Sequence, residues 1–556
     1  MKIECTSRPR KAARRIALLT VFFAAVALQP KLLCGALASV KFVQSAHTVD
    51  AYDFVEVTLR IEKPDAENPF TDVAIEGWFA RDGGKRLQVD GFCDSADGNT
   101  FRIRFMPTQP GNYDYSVRYR HGSHETTHIG KFTARDGKRR GLVRVDEDHP
   151  WHFLWEGTGE HYFWNGTTTY WLLGWDDETI RRNIDRLHKL KVNRLRVAIC
   201  GRVKNGRAWF ENVFPTDKFS FRLNPWVAQR PDSVERPGFD VKRFNVSHWQ
   251  KIERMLRHAR DKDMIISIIF YVDGARPGVD PFGKTKMGHH DEQRYYKYTV
   301  ARLAAFSNVM WDVTNEYQLF RNEDWANKMG TFIKQCDPYD HLASVHGHAQ
   351  FPFRASAWAS FAMYQCWDEA GGYRFMLNNR RRQQQVHRPM PQVNEEYGYE
   401  DHYPRWGGNR KPPARSADNR RRLAWGMYMA GCYQTTGERA DTGTGWGPDS
   451  GGGWINGRGD NSMVMLKGYG HIVDFFTSIP WWKLEPDNEF FEASRQASVR
   501  EELMHVVYTR EKSGKAIIFI DGRKQAETTV SGDVQPGCQL PSCPGQRTYA
   551  RPPLAG

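Results

Sequence analysis

Two short acidic segments have the residue types and the setting for bond-cleaving chemistry. One is Trp311-Asp312-Val313-Thr314-Asn315-Glu316-Tyr317, the other Gln392-Val393-Asn394-Glu395-Glu396-Tyr397-Gly398. Two carboxyl groups facing each other across a cleft, one protonated and one ionised, are the minimum equipment for cleaving a glycosidic bond through an oxocarbenium-like transition state. An Asn immediately before an acid adds a donor that can hold the sugar hydroxyl next to the reacting carbon. Glu316, with Asn315 beside it, is therefore one candidate, and Glu395 or Glu396 is its counterpart. Adjacent strand residues face opposite sides, so only one of these two is expected to point inward, and parity alone does not choose between them. The plainer reading has these acids cap helices or pair with the abundant arginines. It loses ground if both segments end strands of one barrel.

The surrounding pattern predicts such a barrel over residues 145–480. Glu178–Lys191 has apolar residues at helical spacing and runs into a buried strand, Leu195–Ile199. Helices Val246–Lys262, Arg294–Phe306 and Trp325–Cys336 lead in the same way into strands Met264–Tyr271, Val309–Val313 and Leu342–Val345. Tyr162–Tyr170 is the expected first strand, Phe361–Cys366 the sixth and Pro391–Asn394 the seventh; helix Asn419–Ala430 precedes the eighth, Cys432–Thr435. Eight strands separated mostly by helices describe a (β/α)8 TIM barrel, whose catalytic side chains stand at the C-terminal strand ends. Before it, residues 39–140 consist of short alternating runs such as Phe54–Ile61, Thr100–Phe105 and Tyr113–Tyr119, divided by turn clusters such as Asp97-Gly98-Asn99. They predict an antiparallel, Ig-like β-sandwich. After it, residues 481–530 read as a partial C-terminal β domain with strands His505–Thr509 and Lys515–Ile520, and 531–556 as an irregular tail.

At the acidic segments the chain resembles a known group. Trp311–Tyr317 and Val393–Gly398 are similar to the fourth- and seventh-strand signatures of glycoside hydrolase clan A, where Asn-Glu carries the acid/base and Glu-aromatic-Gly the nucleophile. Gly166–Trp171, Asn193–Ile199 and Tyr296–Tyr317 resemble the apiosidase-like barrels (domain of unknown function 4038). Gly91-Phe92, Arg102–Pro107 and Gly111–Tyr115 resemble the sandwich called domain of unknown function 5060, which commonly precedes them. The resemblance implies a retaining glycosidase with Glu316 as acid/base and Asn315 as its hydroxyl-gripping neighbour. It selects Glu396, in Glu396-Tyr397-Gly398, as nucleophile, with the carboxylates about 5–5.5 Å apart. It implies no cofactor and a poly- or oligosaccharide substrate. Glu316 stands where glycoside hydrolase family 140 carries Asp, which argues against apiosidase activity itself.

Weaker candidates sit at other strand ends. Arg196, near the end of strand two, could hold the nucleophile ionised or pair structurally. His346 and His348 after strand five, and Tyr364 and Trp367 at strand six, could line the sugar site or serve packing. Trp446 and Trp454, in or beside the glycine-rich loop 442–453, suit an aromatic floor for a sugar ring. His289-His290-Asp291-Glu292 and Asp146-Glu147-Asp148-His149 have metal-ligand residue types without metal-ligand spacing, and read as solvated loops. No metal site is expected.

Composition excludes several classes. The 556 residues are 40% hydrophobic and 26% charged, which rules out a disordered or collagen-like chain. Nine cysteines without CxxC pairs indicate neither a zinc cluster nor a disulfide framework, and most are expected as buried thiols. Lys2 to Arg15, the apolar run Ile16–Leu28 and Ala36-Leu37-Ala38 read as an export signal over residues 1–38, too short for a comfortable bilayer span. The expectation is a secreted or periplasmic protein with no membrane attachment after cleavage. Seven Lys/Arg and one acid leave with the signal, so the formal charge of +14 falls by six to +8. The excess concentrates at Arg380–Arg382 and Arg420–Arg422, where no nucleic-acid motif accompanies it. A solvated helix face is the expected reading there. No motif sets an oligomeric state.

Overall fold

A computed structural model of the chain describes residues 39–201, 219–272, 278–367, 372–400, 415–437, 464–486, 506–510, 515–520 and 523–529. Residues 1–38, expected to be an export signal, residues 531–556, expected to be a tail, and segment 442–453 lie outside the described residues. Among those described, no helix is long and apolar enough to cross a membrane.

Strands between Val40 and Arg135 form two facing sheets of four and five strands, antiparallel apart from the short pairing of Thr48–Asp50 with the end of His124–Arg135. Alternation creates the core: Val55–Ile61 buries every second residue, and Phe79 stacks on Phe105 at 4.3 Å between the sheets.

The barrel strands are Gly166–Thr168, Arg194–Ala198, Ile265–Ile269, Val309–Asp312, Ala343–Ser344, Ala362–Gln365, Gln392–Glu396 and Tyr433–Thr436. All are parallel; each pairs with its sequence neighbours except the fifth and sixth, and the first pairs with the eighth. The seam between the fifth and sixth is bridged by the Ser360 amide donating to Ala343 O (2.8 Å) and the Ser344 hydroxyl to Phe361 O (2.6 Å). Arg194–Ala198 and Ile265–Ile269 are buried along their whole length because the barrel interior covers one face and helices the other. The helices begin on local signals: the side chains of Asp176, Asn322 and Ser416 accept the backbone N–H three residues on. A small sheet of Val143–Val145, Phe153–Trp155 and His161–Tyr162 covers the N-terminal end of the barrel, where Phe153 meets Trp164, Phe361 and Tyr433.

The sandwich and barrel share a buried polar interface. Arg104 of the sandwich donates to both oxygens of Glu253 (2.8 and 2.9 Å) and to Glu56, while Arg302 of the barrel pairs with Asp94 and Glu253, both at 2.5 Å. Phe54 packs edge-on against Phe306 beside this network. At the C-terminal end, Val506–Arg510, Lys515–Ile520 and Arg523–Thr529 form an antiparallel three-stranded sheet.

The two basic runs differ from expectation. Arg380 and Arg420 are buried; the first pairs with Glu485 and the second donates to Tyr397 O, so only their neighbours form a solvated face. Glu292 is likewise not in a solvated loop. It is fully buried and accepts from Tyr271, Trp325 and Arg321 at 3.1, 2.9 and 3.1 Å.

Candidate active site

The fourth strand ends at Asp312, and the chain turns so that Glu316 adopts φ 48°, ψ 52°. Left-handed backbone at a residue with a Cβ costs on the order of 1–3 kcal/mol and persists only where neighbours hold it. The segment after strand five does so: the Glu316 amide donates to His346 Nδ1 (3.3 Å), the Tyr317 amide to His346 O (3.1 Å), and the His346 amide to Thr314 O (3.2 Å). The Glu316 side chain is thereby set at the barrel mouth, half-buried.

On the seventh strand both acids turn inward, against the parity expectation. Strand six pairs Tyr364 with Asn394 and Gln365 with Glu396, so Glu395 is an extra residue, a β-bulge. Glu395 points down into the barrel and is fully buried, with Oε2 accepting from Arg194 at 2.9 Å. Glu396 turns to the mouth, where its Oε2 accepts from the Tyr170 hydroxyl (3.1 Å) and lies 3.8 Å from His346 Nε2. Gly398 completes the turn at φ 94°, where a Cβ would stand 2.7 Å from Arg415 Nε.

Beneath these acids lies a charge quartet, Arg194, Arg196, Asp312 and Glu395, all fully buried. Arg196 donates to Asp312 (2.7 and 3.2 Å), to the Asn315 side-chain oxygen (3.0 Å) and to the Tyr170 oxygen (3.4 Å). Burial opposes its charge, but Asp312, Tyr170 and Glu395 together outweigh that and hold the guanidinium above its ordinary value. Burial pushes the Asp312 carboxyl up to about 6 even against the pull of Arg196. Arg194 is lowered by burial, which Glu395 offsets only in part.

His346 accepts at Nδ1, so its ring proton sits on Nε2, facing Glu396. Burial, then the charges of Arg196, His348 and Arg194, hold its pKa well below the usual value, and the ring is neutral.

The structure thus brings together Asn315, Glu316, Glu396, Arg196 and His346. It does not bring in all the others. Tyr364 faces outward, its ring between Phe351 and Phe375 and its hydroxyl on Gln392 (2.6 Å), because the strand alternation directs it to the helix layer. His348 is exposed, contributing its backbone oxygen to Gln365 N. Trp367 is partly buried, edge-on to Tyr399 at 5.3 Å with Arg415 over its ring. Trp446 and Trp454 lie outside the described residues. Arg196 pairs with Asp312 and reaches Glu396 through the Tyr170 hydroxyl. Tyr170 was missed by the sequence reading, although Gly166–Trp171 places it at the end of strand one, where a barrel carries its chemistry. Asp312 and Arg194 were missed too, since an interior pair across the barrel leaves no local signal.

A parallel eight-stranded barrel with acids at the ends of its fourth and seventh strands is glycoside hydrolase-like. The apiosidase-like catalytic domain family matches residues 151–439, and the domain of unknown function DUF5060 matches residues 48–120. The first match spans more than half of the chain, and the protein belongs to the apiosidase-like family. No curated protein matches it. A Bacteroides vulgatus ATCC 8482 protein described as a candidate glycoside hydrolase has the same fold, with TM-score 0.64 at 21% identity over 85% of this chain and 84% of that one. A family 5 glycoside hydrolase from the same bacterium is more distant (TM-score 0.46, 15% identity, 68% of this chain and 80% of that one). So is an endo-1,4-β-mannanase from Rhizomucor miehei (TM-score 0.41, 12% identity, 61% and 100%).

Proposed function

We propose that this chain is an exported, retaining glycoside hydrolase that cleaves O-glycosidic bonds of plant or algal poly- or oligosaccharides by double displacement. The observation that carries the reading is His346: one neutral imidazole holds the Glu316 backbone through Nδ1 (3.3 Å) and faces the Glu396 carboxylate through Nε2 (3.8 Å). The two acids therefore flank a single ring at the barrel mouth, and retention requires their carboxyl groups about 5–5.5 Å apart.

In the first step Glu396, ionised, attacks the anomeric carbon as Glu316 gives its proton to the leaving oxygen. In the second Glu316, now a base, takes a proton from water, which attacks the same carbon and releases Glu396 from its ester. The Tyr170 hydroxyl accepts from Arg196 and donates to Glu396, which favours the charged carboxylate and fixes its angle. Arg196 pins the oxygen end of Asn315, so the amide nitrogen is the end presented to the sugar hydroxyl beside the reacting carbon. Double displacement requires Glu316 to carry a proton before attack and to give it up before water attacks the glycosyl ester on Glu396.

A panel of polysaccharides and aryl glycosides, followed by proton NMR of the first-formed anomer, tests this. Retained configuration is expected for the wild type, with turnover of natural substrate lost in Glu316→Gln and in Glu396→Gln. An inverted product, or turnover unchanged in both variants, overturns it.

A further inference from the structure

Three metal-ligating side chains converge at the end of the barrel opposite the cleft. Asp146 follows strand Val143–Val145, His149 sits in the turn before Phe153–Trp155, and His161 opens the third strand of that sheet, paired with Leu154. The first two are three residues apart in sequence; the third arrives only through the sheet. Far from being a solvated turn, Asp146 is buried, and its Oδ2 lies 2.8 Å from His161 Nε2 and 3.1 Å from His149 Nδ1. The three donor atoms all lie within 4.8 Å of one another.

We propose that Asp146, His149 and His161 bind one divalent transition ion, zinc by ligand type, with water completing a tetrahedral shell. Two imidazoles and a carboxylate suit zinc and its first-row neighbours, whereas magnesium and calcium take oxygen shells. Bonds of about 2.0–2.1 Å to a tetrahedral ion put neighbouring ligand atoms about 3.3 Å apart, so Asp146 need draw back from each histidine by only a few tenths of an ångström, while the two imidazole nitrogens, within 4.8 Å of each other, close on the ion. Their orientation is already fixed from behind. Asp146 Oδ1 accepts the Asp148 amide (2.9 Å), which leaves Oδ2 facing both rings. His161 stacks on Trp482 at 3.9 Å and 7°, and the two imidazoles stand nearly perpendicular at 79°. An ion here ties the linker between sandwich and barrel to His161 and, through Trp482, to the segment after helix Val464–Thr477. Its role is structural, remote from Glu316 and Glu396.

The competing arrangement is a carboxylate that accepts hydrogen bonds from two histidines, with no ion. To decide, the full chain is stripped with chelator and titrated with cobalt(II) chloride or zinc chloride alone. Expected are one equivalent of cobalt with the visible absorption of a tetrahedral nitrogen–oxygen site, its displacement by zinc, and a zinc-dependent rise in the thermal unfolding midpoint. Asp146→Asn and His161→Gln should lose all three. Absence of the cobalt absorption in the wild type overturns the proposal, as does binding unchanged in either variant or a thiolate-to-cobalt band, which would assign the ion to a cysteine. Where a variant fails to fold, the wild-type cobalt spectrum decides alone: tetrahedral nitrogen–oxygen absorption at one equivalent supports the site.

Discussion

Glu395 and Glu396 are adjacent, chemically identical and both turned inward, yet they should fail in opposite ways. Glu395→Gln removes one of two negative charges from a quartet whose four side chains are fully exposed to protein and closed to water. Arg194, whose Nη1 lies 2.9 Å from Glu395 Oε2, is left with an uncompensated buried charge. Breaking such a pair costs about 3–5 kcal/mol. At about 1.4 kcal/mol per power of ten, that is roughly two to four orders of magnitude in the folding equilibrium, a large part of the 5–15 kcal/mol or so that holds a typical protein folded. Glu396→Gln by contrast changes a carboxylate whose neighbours Tyr170 and His346 are uncharged, and an amide oxygen can still accept from Tyr170. Stability should change by about 1 kcal/mol or less, while turnover of an aryl glycoside falls on the order of 10⁴-fold or more. Urea unfolding followed by tryptophan fluorescence, beside initial rates under conditions where each variant is folded, reads both. The double variant Arg194→Met, Glu395→Leu should recover most of the lost stability, since a buried ion pair exchanged for apolar groups is often neutral. Should Glu395→Gln stay as stable as wild type and lose turnover while Glu396→Gln stays active, the division of labour between the two acids is wrong.

Tyr170→Phe deletes the donor to Glu396, so the carboxylate pKa should rise and the acid limb of the kcat/KM profile should move to higher pH, with unchanged folding by circular dichroism; an unmoved limb refutes the coupling. Burial lowers His248 to about 4, His152 to about 3 and His346 well below its usual value, so the unfolded chain binds more protons than the native one once pH drops below about 6.5. Each can contribute up to about 1.4 kcal/mol per pH unit, and the urea midpoint should fall steeply from pH 6.5 towards 4. Asp312, raised to about 6, acts in the other direction, losing its contribution as pH rises from 3.8 through 6, and softens the slope. A midpoint flat over that range would refute the neutral histidines. Arg104→Ala in the sandwich should destabilise the fold by about 1–3 kcal/mol, since Glu253 loses two charge-assisted hydrogen bonds while keeping Arg302; a barrel expressed without residues 39–140 that unfolds at the wild-type midpoint would show that the interface contributes nothing.

Much of this was legible in the sequence because it is written locally. Strand and helix periodicities from Tyr162 to Thr435 describe eight βα units, and the barrel rule then points to strand ends and to the segments holding Glu316 and Glu396. What failed were statements about direction and partners. Tyr364 sits at the right strand end, but its ring faces the helices, and the exposed-looking arginines 380 and 420 are buried against elements far away in the chain.

The choice between Glu395 and Glu396 shows the division most sharply. The sequence by itself determined that two acids stand at the end of the seventh strand and that a two-residue alternation should send only one inward. Tertiary structure decided otherwise: the register with strand six skips Glu395, so the bulge admits both, one to Arg194 below and one to Tyr170 and His346 above. A bulge is set by pairing between strands whose hydrogen-bonded residues here lie about thirty positions apart, and Arg194 meets Glu395 from 201 positions away. Periodicity reports which residues are alike along the chain. Which charge faces which is fixed only when the barrel closes and each buried ion must find its counter-ion out of reach of water.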